Sequence, residues 1–210
     1  MEEYHKIPNI FLRSTETKKI VEGEYSNEAL DFLRNTMWDF TEKIDGTNIM
    51  IAWDGHKVKL YGRTKEASIP STLANRLIEL FCGEANEQIF EQRFGDKEAV
   101  LVGEGYGAKI QNVGGLYRKD QDFILFDVMI SGNYQTRGTV EEVAELFNIE
   151  AVPVVLRGTL EEGVEFVKSH PKSTIGTAPM EGVVGRPHVE LQDRCGNRVI
   201  VKIKAQDFKG

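Results

Sequence analysis

Residues 42 to 61 read EKIDGTNIMIAWDGHKVKLY, and this stretch contains the clearest fold signal in the chain. Two β-prone runs, Ile49–Trp53 and Lys57–Tyr61, flank the dipeptide Asp54-Gly55, which favours the tight turn of a β-hairpin. Because a hairpin joins antiparallel neighbours, the stretch favours antiparallel sheets over a regularly alternating parallel fold.

The rest of the chain adds strands and helices to this hairpin. Further strands are predicted at Val100–Gly103, Phe123–Ile130, Ala151–Leu156, Glu181–Gly185 and Val199–Lys204. Helices are predicted from a Ser26 cap to Arg34, over Ser71–Phe94 with a break near Gly83, and after the capping boxes Thr139–Glu142 and Thr159–Glu162. The predicted class is α+β, with antiparallel sheets flanked by helices.

Composition limits the kind of protein. The 210 residues fit one domain, and two cysteines are too few for a disulfide framework or a four-Cys zinc site. We therefore expect a reducing, cytoplasmic setting. The start has no apolar signal-peptide core, and no apolar run approaches the roughly 20 residues of a membrane span, so no membrane partner is expected. The net charge of −7 by itself argues against a nucleic-acid partner.

The segment before the hairpin carries candidate chemistry. Lys43 and Asp45 share a face if the segment is extended, and Gly46 permits a tight turn or close approach to a ligand. A lysine amine is a covalent nucleophile when it is deprotonated. Taken alone, however, the pattern is more typical of a strand end with a Lys–Asp pair.

The end of the chain changes that balance. Strict alternation in Val199–Lys204 places Lys202 and Lys204 on one strand face and apolar residues on the other. Neighbouring cations repel unless an anion lies between them, and phosphate is the natural candidate. The alternative is the solvated outer face of an edge strand.

Carboxylates and aromatic rings complete the pattern. Glu104 is flanked by glycines, and Glu181 precedes Gly182 at the entrance to an apolar strand. Phe123 and Phe126 lie three residues apart and so on opposite faces of one strand. One ring therefore belongs to the core, while the other is free to meet a planar ligand.

From Lys43 to Lys204 the motifs follow the order K-x-D-G-x-N, G-R-T, G-E-G, F-D-V, E-G-V-V and K-x-K. This order resembles the covalent nucleotidyltransferase superfamily of polynucleotide ligases and mRNA capping enzymes. Asn48 makes the resemblance closest to ATP-dependent RNA ligases of the RNA ligase 2 type, since DNA ligases and capping enzymes usually have Arg there. The resemblance implies an ATP-grasp-like ligase adenylation domain.

The resemblance also implies a reaction. Lys43 attacks the α-phosphate of ATP and holds AMP through a phosphoramidate bond. The AMP then passes to a 5′-phosphate end, and a 3′-hydroxyl displaces it to form a phosphodiester. Lys202 and Lys204 act on the α-phosphate, and magnesium, or manganese, is the expected ion.

Further roles are implied residue by residue. The nucleotide contacts are Glu42 at the adenine edge, Glu104 at the ribose hydroxyls, and Phe126 stacked on adenine, with Phe123 as the alternative. Arg63 contacts the 5′-phosphate end or the nucleotide. Glu181 helps to bind the metal, and Asn48 touches a metal-bound water or the substrate end.

The sequence departs from the family pattern in three places. Asp45 stands where some RNA ligases of this type have His. Gly185 stands where a basic residue commonly follows E-G-V-V, with Arg186 one residue later. Six residues follow Lys204, so we expect one adenylation domain over 1–210, without an OB or helical C-terminal domain.

Two classes of alternative remain open. One is another nucleotidyltransferase, either a minimal ATP-dependent DNA ligase core or a capping-type guanylyltransferase. The other is a nucleotide-binding relic of the fold that has no activity.

The resemblance changes what the net charge implies. Positive charge is concentrated in two groups: Lys57, Lys59, Arg63 and Lys65, and Lys202, Lys204 and Lys209. We therefore expect a narrow basic cleft on an acidic body. The expected partner is RNA or a nicked duplex with 5′-phosphate and 3′-hydroxyl ends. A monomer is expected, and a viral or phage origin is compatible with the resemblance.

Overall fold

The structure, a computed structural model, describes residues 4–64 and 67–208. Its strands are β1 (Phe11–Arg13), β2 (Ile20–Tyr25), β3 (Trp38–Lys43), β4 (Thr47–Trp53), β5 (Val58–Tyr61), β6 (Ala99–Gly107), β7 (Gln121–Ile130), β8 (Asn133–Tyr134), β9 (Glu150–Ala151), β10 (Val154–Gly158), β11 (Gly182–Pro187) and β12 (Val201–Lys204). Its helices are α1 (Glu28–Leu33), α2 (Ser71–Phe81), α3 (Glu84–Phe94), α4 (Gly114–Tyr117), α5 (Arg137–Leu146) and α6 (Leu160–Lys168), followed by a 3-10 turn at Ala205–Phe208. The predicted α+β class is confirmed. Lys65 and Lys209, two members of the predicted basic groups, lie outside the described residues.

The chain divides into two compact units. Among the described residues, unit 1 contains Tyr4 and residues 45–152, and unit 2 contains residues 5–44 and 153–208. The boundary between Ile44 and Asp45 falls inside the K-x-D-G-x-N motif. Lys43 therefore belongs to unit 2, whereas Asp45 and Asn48 belong to unit 1.

Unit 1 is built on an antiparallel sheet in the order β5-β4-β6-β7-β8, to which β9 adds a parallel pairing with β7. The predicted hairpin is confirmed as β4 and β5, with Trp53 opposite Val58. Leu77 of α2, Phe90 of α3 and Val143 of α5 belong to the apolar core of this unit.

Unit 2 is built on a four-stranded antiparallel sheet in the order β10-β3-β11-β12. Its core joins α6 residues such as Leu160 and Val164 to Trp38 and Phe40 of β3. On the last strand Val201 is 0% and Ile203 is 1% exposed, so the predicted apolar face is confirmed. The opposite face is left for Lys202 and Lys204, which are partly exposed.

Two predicted helix caps are wrong. Asn27, not Ser26, caps α1, because the Asn27 side chain accepts from the Leu30 N–H at 3.0 Å. Thr136, not Thr139, caps α5, since that helix begins three residues before the predicted capping box would start it. Several small polar residues compete at each start, and the sequence does not rank them.

The other helix predictions are confirmed. Thr159 and Glu162 form the predicted capping box at the start of α6. The Ser71–Phe94 segment breaks at Gly83 into α2 and α3.

None of the described helices is long and apolar enough to cross a membrane.

One predicted strand is wrong. Ala151–Leu156 is divided between β9 and β10, and the chain leaves unit 1 for unit 2 after Val152. Pro153 contributes no N–H to a ladder, which is consistent with an interruption at this point.

Candidate active site

A carboxylate lies between two lysines on the unit 2 sheet. The Nζ of Lys43 is 2.7 Å from Oε2 of Glu181, and the Nζ of Lys204 is 3.1 Å from Oε1 of the same residue. All three side chains are partly buried, being 20–25% exposed. Glu181 therefore bridges the predicted nucleophile and a predicted phosphate-binding residue.

Strand register explains this arrangement. Gly182 on β11 pairs with Lys43 on β3 and with Lys204 on β12, and directly opposite residues share a sheet face. A Cβ atom on Gly182 would lie 2.0 Å from the carbonyl oxygen of Ile203. The glycine therefore permits the close strand contact that brings the two lysines into one row.

Lys202 extends the cationic surface by one more row. It pairs with Val184, which in turn pairs with Thr41, so it lies on the same face as Lys43. Burial lowers the pKa of Lys202, and the nearby charges of Lys204, Lys43 and Lys6 lower it further. An anion bound here would relieve that repulsion, as expected from the sequence.

Glu42, next to the candidate nucleophile, points to the opposite side of β3 and is only 2% exposed. Its carboxylate accepts hydrogen bonds from the backbone N–H of Thr174 at 2.9 Å and from the Thr174 hydroxyl at 2.5 Å. It also accepts one from the Ser173 hydroxyl. The Glu42 side chain thus anchors the loop before β11, a role that sequence reasoning missed, and its own N–H donates to the Pro153 carbonyl at 3.0 Å.

In unit 1, Asn48 of β4 lies directly opposite Glu104 of β6. The Asn48 Oδ1 is buried and accepts no hydrogen bond within the described residues. A Cβ atom on Gly46 would lie 2.3 Å from the Gly105 carbonyl oxygen, so this glycine packs closely on the backbone of β6. An amide oxygen and a carboxylate thus project from adjacent strands of one sheet.

The two phenylalanines of β7 have different surroundings. Phe123 is 2% exposed and packs in the core, with its ring centroid 5.4 Å from that of Phe81. Phe126 is partly exposed and meets the ring of Tyr4 edge-on at 5.5 Å. The Tyr4 hydroxyl donates to Oδ2 of buried Asp127 at 2.6 Å. The prediction of opposite faces is confirmed, and Phe126 is the ring outside the core.

Two lysines of the predicted basic group after the motif are paired with acids. Lys57 pairs with Glu87 at 2.8 Å and Lys59 pairs with Asp54 at 2.7 Å. The hydrogen bond from Lys59 is the main cause that lowers the pKa of Asp54 to about 2. Arg63 follows β5 and is exposed.

A model of the RNA ligase family matches residues 37–204, which is most of the chain and spans the motifs from Lys43 to Lys204. The chain belongs to the RNA ligase family. No curated protein matches the sequence of this family member significantly.

Solved structures of Naegleria gruberi RNA ligase share the fold. A mutant with AMP and Mn is 19% identical, with a TM-score of 0.64 over 86% of this chain and 53% of that one. The form with PPi is 20% identical, with a TM-score of 0.64 over 86% and 52%. An apo mutant is 19% identical, with a TM-score of 0.65 over 99% and 59%. This RNA ligase family member therefore spans little more than half the length of the structures it resembles.

Proposed function

We propose that this RNA ligase family member is an ATP-dependent RNA ligase that joins 5′-phosphate and 3′-hydroxyl ends through a lysyl-AMP intermediate on Lys43. Family membership supports the reaction class. The observation that carries the residue assignment is the row in which Glu181 bridges Lys43 and Lys204. A row of this kind presents a nucleophilic amine beside further cations.

In the first step Lys43 gives up the proton that it holds in the ion pair with Glu181, and the neutral amine attacks the α-phosphorus of ATP. The N–P bond forms as the bond to the bridging oxygen breaks, pyrophosphate leaves, and the amine proton passes to solvent or to a nearby base. Lys202 and Lys204 stabilise the charge on the α-phosphate, because phosphoryl transfer depends on alignment and charge neutralisation.

Two further displacements complete the cycle. A 5′-phosphate oxygen attacks the phosphorus of lysyl-AMP, the N–P bond breaks, and Lys43 is released. A 3′-hydroxyl then attacks the activated 5′-phosphate, forming the phosphodiester and releasing AMP with loss of the hydroxyl proton. Splitting the reaction through a covalent intermediate makes each displacement easier.

The residues of unit 1 are assigned to the nucleoside and the strand end. Phe126 stacks on adenine, a role supported by its partial exposure beside a core-buried Phe123. Glu104 binds the ribose hydroxyls, and Arg63 contacts the 5′-phosphate end or the nucleotide. Glu42, which belongs to unit 2, contributes backbone atoms, since its carboxylate is held by Ser173 and Thr174.

The residues fit a divalent cation of the magnesium or manganese type, which prefers oxygen ligands and keeps several waters. Glu181 offers a carboxylate whose remaining lone pairs suit a metal-bound water. The buried Asn48 Oδ1 accepts no hydrogen bond from any described residue, and together with the Glu104 carboxylate opposite it offers a second set of oxygen ligands. When bound, such an ion neutralises phosphate charge. Among the described residues no cluster of three or more His, Cys, Asp or Glu forms a complete metal cage.

ATP is the proposed nucleotide because Asn48 is typical of ATP-dependent RNA ligases and because the related solved structures include forms with ATP or AMP and Mn. RNA, or a nicked duplex, is the proposed substrate, and a cytoplasmic monomer is the proposed form.

The test offers the protein matched strand ends with Mg²⁺ and either ATP or GTP. We expect ATP-dependent sealing when RNA supplies the 3′-hydroxyl, and none with Lys43→Ala. Sealing of all-DNA ends alone would favour the DNA ligase alternative, and covalent labelling from GTP alone would favour the capping enzyme. A folded protein that labels with neither nucleotide would favour the relic.

A further inference from the structure

We propose that residues 6–10, the edge segment, form a binding site for the pyrophosphate that leaves ATP when Lys43 is adenylylated. Lys6 is the residue assigned to the leaving group. The proposal deepens the proposed function and rests on it. It adds a contact that lies outside the motif order from Lys43 to Lys204.

Backbone hydrogen bonds hold the edge segment against the last strand of the unit 2 sheet. The N–H of Lys202 donates to the Pro8 carbonyl at 2.9 Å, and the N–H of Ile10 donates to the Lys202 carbonyl at 3.1 Å. Asn9 and Lys202 are paired in the parallel sense. Because β11 occupies the other side of β12, the edge segment extends the sheet by one row beyond the two lysines of β12.

Lys6 adds another cation to this surface. It lies two residues before Pro8, is exposed, and forms no ion pair with a described residue. Its charge is one of those that lower the pKa of Lys202, so the two cations act on each other. The carboxylate of Glu181 is already engaged with two other lysines. A further cation therefore adds repulsion to the fold, and it suits a site for a multiply charged anion.

The edge segment also contains a buried polar atom. Asn9 shares a sheet face with Lys202, because residues that pair directly across neighbouring strands point the same way. The Asn9 Oδ1 is buried and accepts no hydrogen bond from a described residue. A buried acceptor without a donor is unfavourable. The Lys202 ammonium has three N–H donors, enough to serve Asn9 with one and a phosphate with the others.

The geometry of phosphoryl transfer directs the leaving group toward this edge. The attacking and leaving atoms lie roughly in line on opposite sides of the phosphorus. Lys43 attacks from β3, and the phosphate-binding lysines lie two strands away on β12, about 10 Å at the usual strand spacing. An α-phosphate held between them releases pyrophosphate in the direction of β12. The next residues in that direction belong to the edge segment.

Pyrophosphate takes part in only some steps of the cycle. In the reverse of the first step, an oxygen of pyrophosphate attacks the phosphorus of lysyl-AMP, the N–P bond breaks, and the Lys43 amine takes up a proton. Transfer of AMP to a 5′-phosphate does not involve pyrophosphate. Lys6 should therefore affect the first step and its reverse, and it should leave AMP transfer unchanged.

The first test measures binding of inorganic pyrophosphate, with Mg²⁺ and without ATP, by isothermal titration calorimetry. We expect Lys6→Gln to weaken binding about 5–10-fold, because the variant loses one charged contact to an exposed anion. Lys6→Arg keeps the positive charge and should retain most of the affinity. AMP binding should be unchanged in both variants.

The matched control is Lys19→Gln, which removes an exposed lysine between β1 and β2 of the same unit. Its affinity for pyrophosphate should equal that of the wild type. The proposal is overturned if Lys6→Gln matches this control, if it weakens AMP and pyrophosphate equally, or if the wild type binds no pyrophosphate. Because Lys6 is exposed, Lys6→Gln should keep the wild-type Tm.

A kinetic readout separates this proposal from the proposed function. In the reverse reaction of isolated lysyl-AMP protein, we expect Lys6→Gln to raise the KM for pyrophosphate about 5–10-fold. Transfer of AMP to a 5′-phosphorylated strand should keep the wild-type rate, and equal loss in both reactions would contradict a leaving-group role. A wild-type protein that binds pyrophosphate through Lys6 but forms no lysyl-AMP would refute the proposed function and leave the pyrophosphate site standing.

Discussion

Lys43 and Glu181 form an ion pair, with Nζ 2.7 Å from Oε2, and the second oxygen of the same carboxylate is 3.1 Å from Lys204. One acidic group therefore balances a row of cations. Lys202 lies on the same face, and burial first, then the charges of Lys204 and Lys43, lower its pKa. The candidate site is arranged to receive negative charge.

Removing the charge of Glu181 should expose that repulsion. Glu181→Gln is expected to lower the free energy of unfolding by about 1–2 kcal/mol, because Lys43 and Lys204 then lose the carboxylate that bridges them. Urea denaturation measures the loss, and added pyrophosphate should restore part of it. Glu161→Gln, an exposed change on α6, is the control; equal effects of the two variants would refute this electrostatic account.

Lys202→Met should stabilise the protein while impairing lysyl-AMP formation. Because the pKa of Lys202 is lowered in the fold, the unfolded chain binds more protons than the folded chain between that lowered pKa and the ordinary lysine pKa of about 10.4. Charged Lys202 therefore costs stability at neutral pH, and this cost falls as the pH rises through its lowered pKa. We expect a Tm higher by about 1–2 °C at pH 7 and a smaller rise in stability at alkaline pH. A lower Tm of the variant at pH 7 would contradict the expected stabilisation.

Substituting Phe126 should affect ATP binding, whereas substituting Phe123 should affect stability. Phe126→Ala is expected to raise the KM for ATP about tenfold, because the variant loses one stacking interaction with adenine. The Tm should change little. Phe123→Ala is expected to cost about 3–5 kcal/mol of stability, because it leaves a cavity beside Phe81. Denaturation and adenylylation kinetics measure both. A Phe126→Ala variant with unchanged KM would remove this residue from the adenine site.

Glu42→Gln should weaken the loop that precedes β11. The buried carboxylate accepts three hydrogen bonds from Ser173 and Thr174, and an amide nitrogen cannot replace an accepting oxygen. The expected loss is about 1.5–3 kcal/mol in urea denaturation. Glu24→Gln, at an exposed strand position, should cost less than about 0.5 kcal/mol. If both variants cost the same, the anchoring role of Glu42 is wrong.

Local patterns predicted much of the fold. The Asp54-Gly55 hairpin and the alternation before Lys204 depend on neighbours in the chain, and both are found in the structure. The caps at Ser26 and Thr139 were wrong because adjacent polar residues offer equivalent hydrogen bonds. The division of Ala151–Leu156 could not be foreseen, because it depends on the unit to which each part packs.

The pairing of distant strands determines which residues meet at the candidate site, and the sequence alone does not predict that pairing. The pairing of Lys43 with Gly182, 139 positions later in the chain, brings Glu181 to the amine. The pairing of Asn9 with Lys202 also brings the edge segment, which contains Lys6, to the side of β12. The hydrogen bonds by which Ser173 and Thr174 hold Glu42 likewise join distant parts of the chain, and no local pattern predicts them.

Adenylylation of Lys43 tests the account most directly. The full chain is incubated with Mg²⁺ and ATP labelled at the α-phosphate, and the protein is then analysed by intact mass and peptide mapping. The account predicts one adenylyl group per chain, labile to acid, on the peptide that contains Lys43, and no adduct with Lys43→Ala or Lys43→Arg. An adduct that persists in those variants or maps to another residue, or folded wild-type protein that forms none, would contradict it.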